Sequence, residues 1–502
     1  MASSPKSSSA AAFTTGSTMR HVVVMTATSS IGLVSIFFVD VINLFYISLL
    51  GQQELAAAIG YAATIMFFSV SVSIGISIAT AALVGRALGA EDTARAASRA
   101  TSSLIYLVGT TILLALALYP SLPFLLELLG ARGETQALAL TFMRIVVPSI
   151  PLLGLGMCLG ALLRAKGDPK RAMYVTLSGG AAALVLDPIF IFGLDLGIVG
   201  AAMATFVVRL ILALVGLWGV VRVHNMLGPI QLRDALADLK PFMTIAVPAI
   251  ATQLATPVGN AYVTRSIAEF GDDAVAGWAI IGRVLPVAFG VIFALSGSVG
   301  PILSQNYGAG AFDRVNSTMR DALIFTLIYC LSVWALLALA NPWIISIFDA
   351  SGDAARLVEI FCLIVAGSYL FNGALFVANA AFNNLGFPFH ATLFNWGRAT
   401  LGIIPFVMVG RHYGAEGVLI GWGLGAVVFG IGGAAMAFHQ IRKLPNRPDF
   451  DDHGTNVPPT ANSPFTSGKG ASFAIQPIRR SGDDGGGDGD RGGHGGDRSK
   501  DS

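Results

Sequence analysis

The chain has 502 residues, 54% hydrophobic and 12% charged, with a formal net charge of +2 and a mean hydropathy of +0.71. Soluble domains carry about 25% charged residues, so the composition excludes an ordinary soluble protein, and so small a net charge gives no reason to expect nucleic acid as a partner. The chain reads as an all-α membrane protein with the lipid bilayer as its solvent.

Residues 1–20 are Ser/Ala-rich, lack the pattern of a secretory signal, and are expected to be a disordered N-terminus. Apolar stretches long enough to cross about 30 Å of hydrocarbon, roughly 20 residues each, follow at 21–50, 55–85, 101–130, 138–163, 171–193 and 197–221. A polar linker at 222–240 separates them from six more at 241–268, 274–303, 321–347, 356–384, 391–413 and 417–441. This predicts twelve helices in two lobes, 21–221 and 241–442. Residues 443–502 are Gly/Asp-rich, cannot bury a core, and are expected to be a disordered tail.

Span 1 contains "FFVDVINLF", with Asp40 inside an apolar run. An ionised Asp at mid-bilayer costs at least about 2.5 kcal/mol, so such a residue is a functional candidate by default. Asn43 lies three residues on, on the same helical face. Asp187, in "LVLDPIFIFG" of span 5, reaches a depth similar to that of Asp40 when both helices are counted from the same side, and Thr205 of span 6 reaches it from the other. Four oxygen-bearing side chains are therefore candidates to converge in the first lobe. Two carboxylates in one dry pocket cannot both ionise cheaply, which suits the pair to carry a proton. A Na⁺ held by hard oxygen ligands is the alternative. For Asp187 alone, a water-facing Asp-Pro helix end is the plain reading.

Loops of alternate parity differ in cations. One set holds Arg86, Arg95, Arg99, Arg164, Lys166, Lys170, Arg171, Arg222, Arg233, Lys240, Arg314 and Arg320; the other, including "GQQE" and "EFGDD", is poor in them. The positive-inside rule puts the first set, and both termini, in the cytoplasm.

The halves repeat. "GRALGAEDTARA" and "QNYGAGAFDRVN" align Gly89 with Gly308 and Arg95 with Arg314, and the same offset of 219 carries Gly167 and Pro169 onto Gly386 and Pro388. Repeated halves with a midplane cleft are the mark of secondary transporters. The second lobe offers Gln253, Asn260, Tyr369, Asn372 and Asn379 at depth but no carboxylate. Arg144, Arg209, Arg283 and Arg398 are expected to be buried; Arg209 is a candidate to snorkel, while Arg283 and Arg398 either face the cleft or brace the bundle. Phe37, Phe38, Phe45, Phe67, Phe68 and Phe289 are candidate cleft aromatics. The substrate set is thus Gln253, Asn260, Arg283, Tyr369, Asn372 and Asn379. No phosphate-binding loop is present. The three cysteines are spaced for packing and the seven histidines form no metal-binding pair, so neither an enzyme nor a cofactor is expected.

The stretches "FFVDVINLFYISLLG", "GRALGAEDTARA", "LRAKGDPKRAM" and "LDPIFIFGLDLGIVGAAMAT", with twelve spans in two lobes, resemble the multidrug and toxic compound extrusion (MATE) family over about residues 20–442. The resemblance implies a V-shaped, alternating-access antiporter, working as a monomer in the plasma (inner) membrane. It would export small organic, cationic or amphipathic compounds in exchange for H⁺ or Na⁺. Carried over residue by residue, it implies a cation site at Asp40, Asp187 and Thr205, Na⁺ included. The family's Asn one turn before the second aspartate is Ala183 here, and span 1 lacks the family's proline. A lipid-linked sugar flippase of the same wider superfamily is the competing reading.

Overall fold

The computed structural model describes residues 11–49 and 53–446, and among them there is no β-strand. Helix is what this composition dictates, because in lipid each backbone N–H and C=O must be satisfied within its own segment. In the first half the spans are Thr18–Leu49, Gln53–Gly89, Thr93–Leu128, Gly133–Lys166, Pro169–Gly193 and Gly197–Val223. In the second they are Leu232–Ala268, Asp272–Gly308, Phe312–Ile347, the pair Gly352–Leu363 and Tyr369–Leu385, then Pro388–Gly397 continuing into Ile404–Gly410, and finally Gly414–Lys443.

Eleven stretches are long and apolar enough to cross a membrane, and the last of these, Pro388–Lys443, runs to 56 residues. It is two antiparallel helices. The chain turns over at Arg411–Tyr413, and Gly414 has a φ of 82°. Beyond the turn Gly417 packs on Gly410, Gly421 on Phe406 and Gly425 on Gly402. Counting both limbs gives the expected twelve.

The packed structure begins earlier than the composition implied. Residues 11–20, expected to be disordered, are placed: Ala11 and Phe13 are buried and span 1 starts at Thr18. Helix also invades the expected linker, leaving little more than residues 224–231 outside it. The tail after residue 446 lies outside the described residues.

The repeat is visible in the backbone. Span 4 breaks into a tight turn at Val147–Ser149 and resumes as Ile150–Lys166; span 10 breaks at Val365–Ser368 and resumes as Tyr369–Leu385, 219 residues on. Each resumed helix ends on a left-handed glycine, Gly167 at φ 91° and Gly386 at φ 90°. A side chain there would cost about 1–2 kcal/mol, which explains why both halves hold glycine. The break in span 4 is braced by Arg209, whose Nη1 donates to the Val146 carbonyl at 3.2 Å and the Ser149 hydroxyl at 2.9 Å. Arg209 is buried and directed inward, so the snorkelling expectation fails: a closer partner is the carbonyl that the Pro148 break releases.

The halves meet where the repeat folds onto itself. Gly85 faces Ser304, Gly89 lies on the backbone of Gln305, and Gly308 lies on the backbone of Arg86. Around this crossing Arg86 Nε donates to the Asn384 carbonyl at 3.0 Å, and Gln305 Nε2 donates to the Ala165 carbonyl at 2.6 Å. Residues 86 and 305, and carbonyls 165 and 384, are equivalent pairs in the repeat, so the clasp is two-fold symmetric. The N-terminal segment seals it. The Phe13 N–H donates to Gln305 Oε1 at 2.9 Å, and Arg314 donates to the carbonyls of Phe13, Thr15 and Gly16. Gln305 therefore satisfies two buried backbone groups at once. Gln305→Ala is expected to strand both, at about 1–3 kcal/mol each, and to lower thermal stability measurably in detergent. An unchanged melting temperature would show that the clasp contributes nothing.

A second polar cluster closes the same end of the first half. Asp168 caps the helix of span 5, accepting from the Arg171 N–H at 3.1 Å, from the Arg171 side chain, and from His224 Nε2 at 2.9 Å. Burial pushes the Asp168 carboxyl up, but these donors outweigh burial and hold it below the ordinary carboxylate range. A depressed carboxylate stabilises the fold above its unfolded pKa and loses that contribution as pH falls through its folded one. Asp168→Asn, which retains capping ability, is expected to cost about 1 kcal/mol at neutral pH. The loss should disappear on acidification through the carboxylate range. Thermal unfolding of both proteins across pH checks this; a pH-independent difference would rule out the charge as its source.

Candidate functional site

Asp187 is the last residue before Pro188, where the regular helix of span 5 gives way to the wide turn Ile189–Gly193. Its side chain is 5% exposed, and Oδ2 is buried with no hydrogen-bond partner among the described residues. A water-facing helix end would leave that oxygen hydrated, so the plain reading of Asp187 does not hold. A buried carboxylate oxygen without a donor is unfavourable unless a proton or cation joins it.

Spans 1 and 5 run side by side in the same direction. Gly32 lies against Thr176, Val39 against Gly180, and the Tyr46 and Phe192 rings meet edge to face at 6.1 Å. The backbone of Asp40 falls between these contacts, close to the level of Ala183 and Asp187. The Asp40 and Asn43 side chains lie outside the described residues. Ala183 is buried one turn before Asp187, so a methyl group stands where the resemblance implied an amide. Thr205 is half-buried and donates its hydroxyl to the Ala201 carbonyl at 2.9 Å; its lone pairs remain free to accept or to ligate. No group of three or more His, Cys, Asp or Glu side chains is arranged to hold a metal among the described residues.

The second-half candidates divide. Tyr369 is buried and stacked on Phe289, ring centroids 4.3 Å apart and 21° between planes. Phe289 is fully buried, which makes it a core residue rather than a cleft aromatic. Asn372 and Asn379 are buried, and Asn395 donates to Asn379 Oδ1 at 2.9 Å. Gln253 and Asn260 are half-buried on span 7. Arg283 and Arg144 are exposed, which corrects the expectation that they are buried. Arg398 is buried and donates through Nη2 to the Thr256 hydroxyl at 3.1 Å. Sequence reasoning missed Thr256. The available signal was spacing, since Gln253, Thr256 and Asn260 share one helical face.

Comparison with known proteins shows what the chain is similar to. A family model described as MatE matches residues 26–189 and 248–408. The chain is 26% identical over 420 residues to a protein of Shewanella oneidensis described as an FAD transporter, covering 81% of this chain and 91% of that one. It is 22% identical over 390 residues to the multidrug export protein MepA of Staphylococcus aureus, covering 76% and 85%. Among solved structures, a mutant of the Vibrio cholerae MATE transporter VcmN superimposes with a TM-score of 0.82 at 24% identity, over 88% of this chain and 99% of that one. An outward-facing multidrug resistance MATE family transporter gives 0.82 at 22% identity, over 88% and 100%.

Proposed function

The chain belongs to the MatE family and is an integral, multi-pass membrane protein, and from that premise we propose that it is a secondary antiporter. It exports small organic compounds, cationic or amphipathic, while H⁺ or Na⁺ enters through the first half. The observation that carries the coupling site is Asp187, a buried carboxylate with an unpartnered oxygen at nearly the level of Asp40. In this reading the two carboxylates share one exchangeable cation, with the Thr205 hydroxyl as a third oxygen. The methyl of Ala183 removes a neutral ligand, which favours a proton over a Na⁺ needing a full oxygen shell.

Orientation follows from the cation-rich loops. The clasp of Arg86 and Gln305 is then cytoplasmic, both termini face the cytoplasm, and the described state is closed inward. The protein acts as a monomer in the plasma membrane. Relatives described as exporting drugs and as transporting FAD fit a cleft that accepts organic molecules. The test is flux of ethidium in liposomes of purified protein, under an imposed pH or Na⁺ gradient. Uphill movement driven by the pH gradient and unaffected by Na⁺ is the expected result. Gradient-independent movement of ethidium would overturn the antiport reading.

A further inference from the structure

Arg398 carries a buried charge that the coupling reaction does not use. It opens the wide turn Arg398–Gly402 in span 11 and is 5% exposed. Its Nη2 reaches the Thr256 hydroxyl at 3.1 Å, its Nε is buried without a hydrogen-bond partner, and no carboxylate pairs with it among the described residues. A buried, unpaired guanidinium is strongly unfavourable unless an anion or a full set of acceptors reaches it.

The surroundings show from which side an anion would come. Thr256 is exposed although its helix is packed, and Gln253 and Asn260 flank it, half-buried, on one face of span 7. Amides on a membrane helix avoid lipid and turn toward other helices or a water-filled cavity. Beside that face, span 7 is anchored at Gly259 against Ala399 and Ile403 of span 11, which holds Arg398 next to the polar stripe.

We propose that Arg398, with Thr256, Gln253 and Asn260, forms an oxyanion subsite on the second-half wall of the cleft, and that the amphipathic compounds exported include ones that carry a carboxylate or phosphate on an apolar, ring-containing body. This rests on the transport reading and names one class within its amphipathic substrates. The planar guanidinium presents several donors to such a group, while the threonine and the two amides complete its hydrogen bonds. The two halves then divide the charge: a titratable anion in the first binds the coupling cation, and a permanent cation in the second binds the cargo.

Riboflavin and riboflavin 5′-phosphate share one ring body and differ by the phosphate. Binding of each to the purified, full-length protein, without any gradient, is read by flavin fluorescence. In the wild type the phosphate is expected to tighten binding by about tenfold or more, the effect of one charge-assisted contact. Arg398→Gln is expected to abolish that preference, so that the two flavins bind alike, and Arg398→Lys to retain part of it. Thr256→Val keeps the guanidinium and the fold and is expected to weaken the preference, which guards against a misfolded Arg398 variant. Equal binding of the two flavins by the wild type, or a phosphate preference surviving in Arg398→Gln, overturns the proposal. Asp187→Asn keeps the phosphate preference under this inference, so failure of the coupling reading and failure of the subsite are seen in different variants and different assays.

Discussion

Asp187→Asn is expected to reduce pH-gradient-driven export to the background of empty liposomes, at unchanged protein level and with binding of the organic compound retained. The carboxylate is buried, and one of its oxygens has no donor. Asparagine keeps the size and hydrogen-bonding capacity of the protonated acid but cannot release a proton. The site is then held in its loaded state, and the step that returns it empty is lost. Removal of either member of a titrating pair that acts as one unit abolishes net coupling rather than lowering it by a fixed factor. Asp40→Asn is expected to behave likewise. The double variant should be little worse than either single one, because residues acting as a unit are not additive. Downhill exchange of compound in the absence of a gradient separates the two functions: it survives in Asp187→Asn if the residue serves coupling alone. Wild-type uphill flux in Asp187→Asn would mean that its burial is a structural accident and that coupling resides elsewhere.

Much of the architecture was legible because it depends on patterns that lipid enforces. The spans follow from hydropathy. The repeat follows from Gly89 and Gly308 and from Gly167 and Gly386, which hold positions where a side chain collides with a facing backbone or strains its own. Asp187 stood out because a carboxylate in an apolar run has few cheap explanations. What did not show was the rotation of each helix about its axis. In a soluble protein the polar face marks the outside, but here both lipid-facing and core-facing surfaces are apolar, so Arg283 and Arg398 look alike in sequence. One is exposed and the other is buried against Thr256. The clasp was hidden for a different reason. Arg86 and Gln305 occupy equivalent positions but are chemically dissimilar, and both bond to backbone carbonyls, which leave no trace in side-chain chemistry. The N-terminal segment was misjudged because its order comes from partners some 300 residues away, Gln305 and Arg314, and not from its own composition.

The crossing of spans 2 and 8 supplies the second large expected effect. A Cβ at Gly308 would overlap the Arg86 carbonyl, and one at Gly89 would overlap the Gln305 carbonyl. In both cases the obstacle is backbone on the facing helix, which yields only if the helices part. Gly308→Ala is therefore expected to destabilise the closed clasp by about 1–3 kcal/mol, the usual cost of overpacking, and so to raise the clasp-open population by tenfold or more at the middle of that range. Gly89→Ala should do the same from the other side of the pseudo-axis. Because a single separation of the helices relieves both overlaps, the double variant should open little further than either single one. The control is Gly282→Ala on span 8, where nothing lies within 4 Å of the added carbon; there alanine favours the helix by about 0.5–1 kcal/mol and should leave the clasp closed. Spin labels at Lys170 and Asn316, exposed positions at the clasped end of the two halves, report the separation by pulsed dipolar spectroscopy. A longer-distance population should appear in Gly308→Ala and Gly89→Ala but not in Gly282→Ala. A Gly308→Ala distribution matching that of Gly282→Ala would show that the glycines merely tolerate the crossing, and that the closed state is held by Arg86, Gln305 and the segment around Phe13 instead.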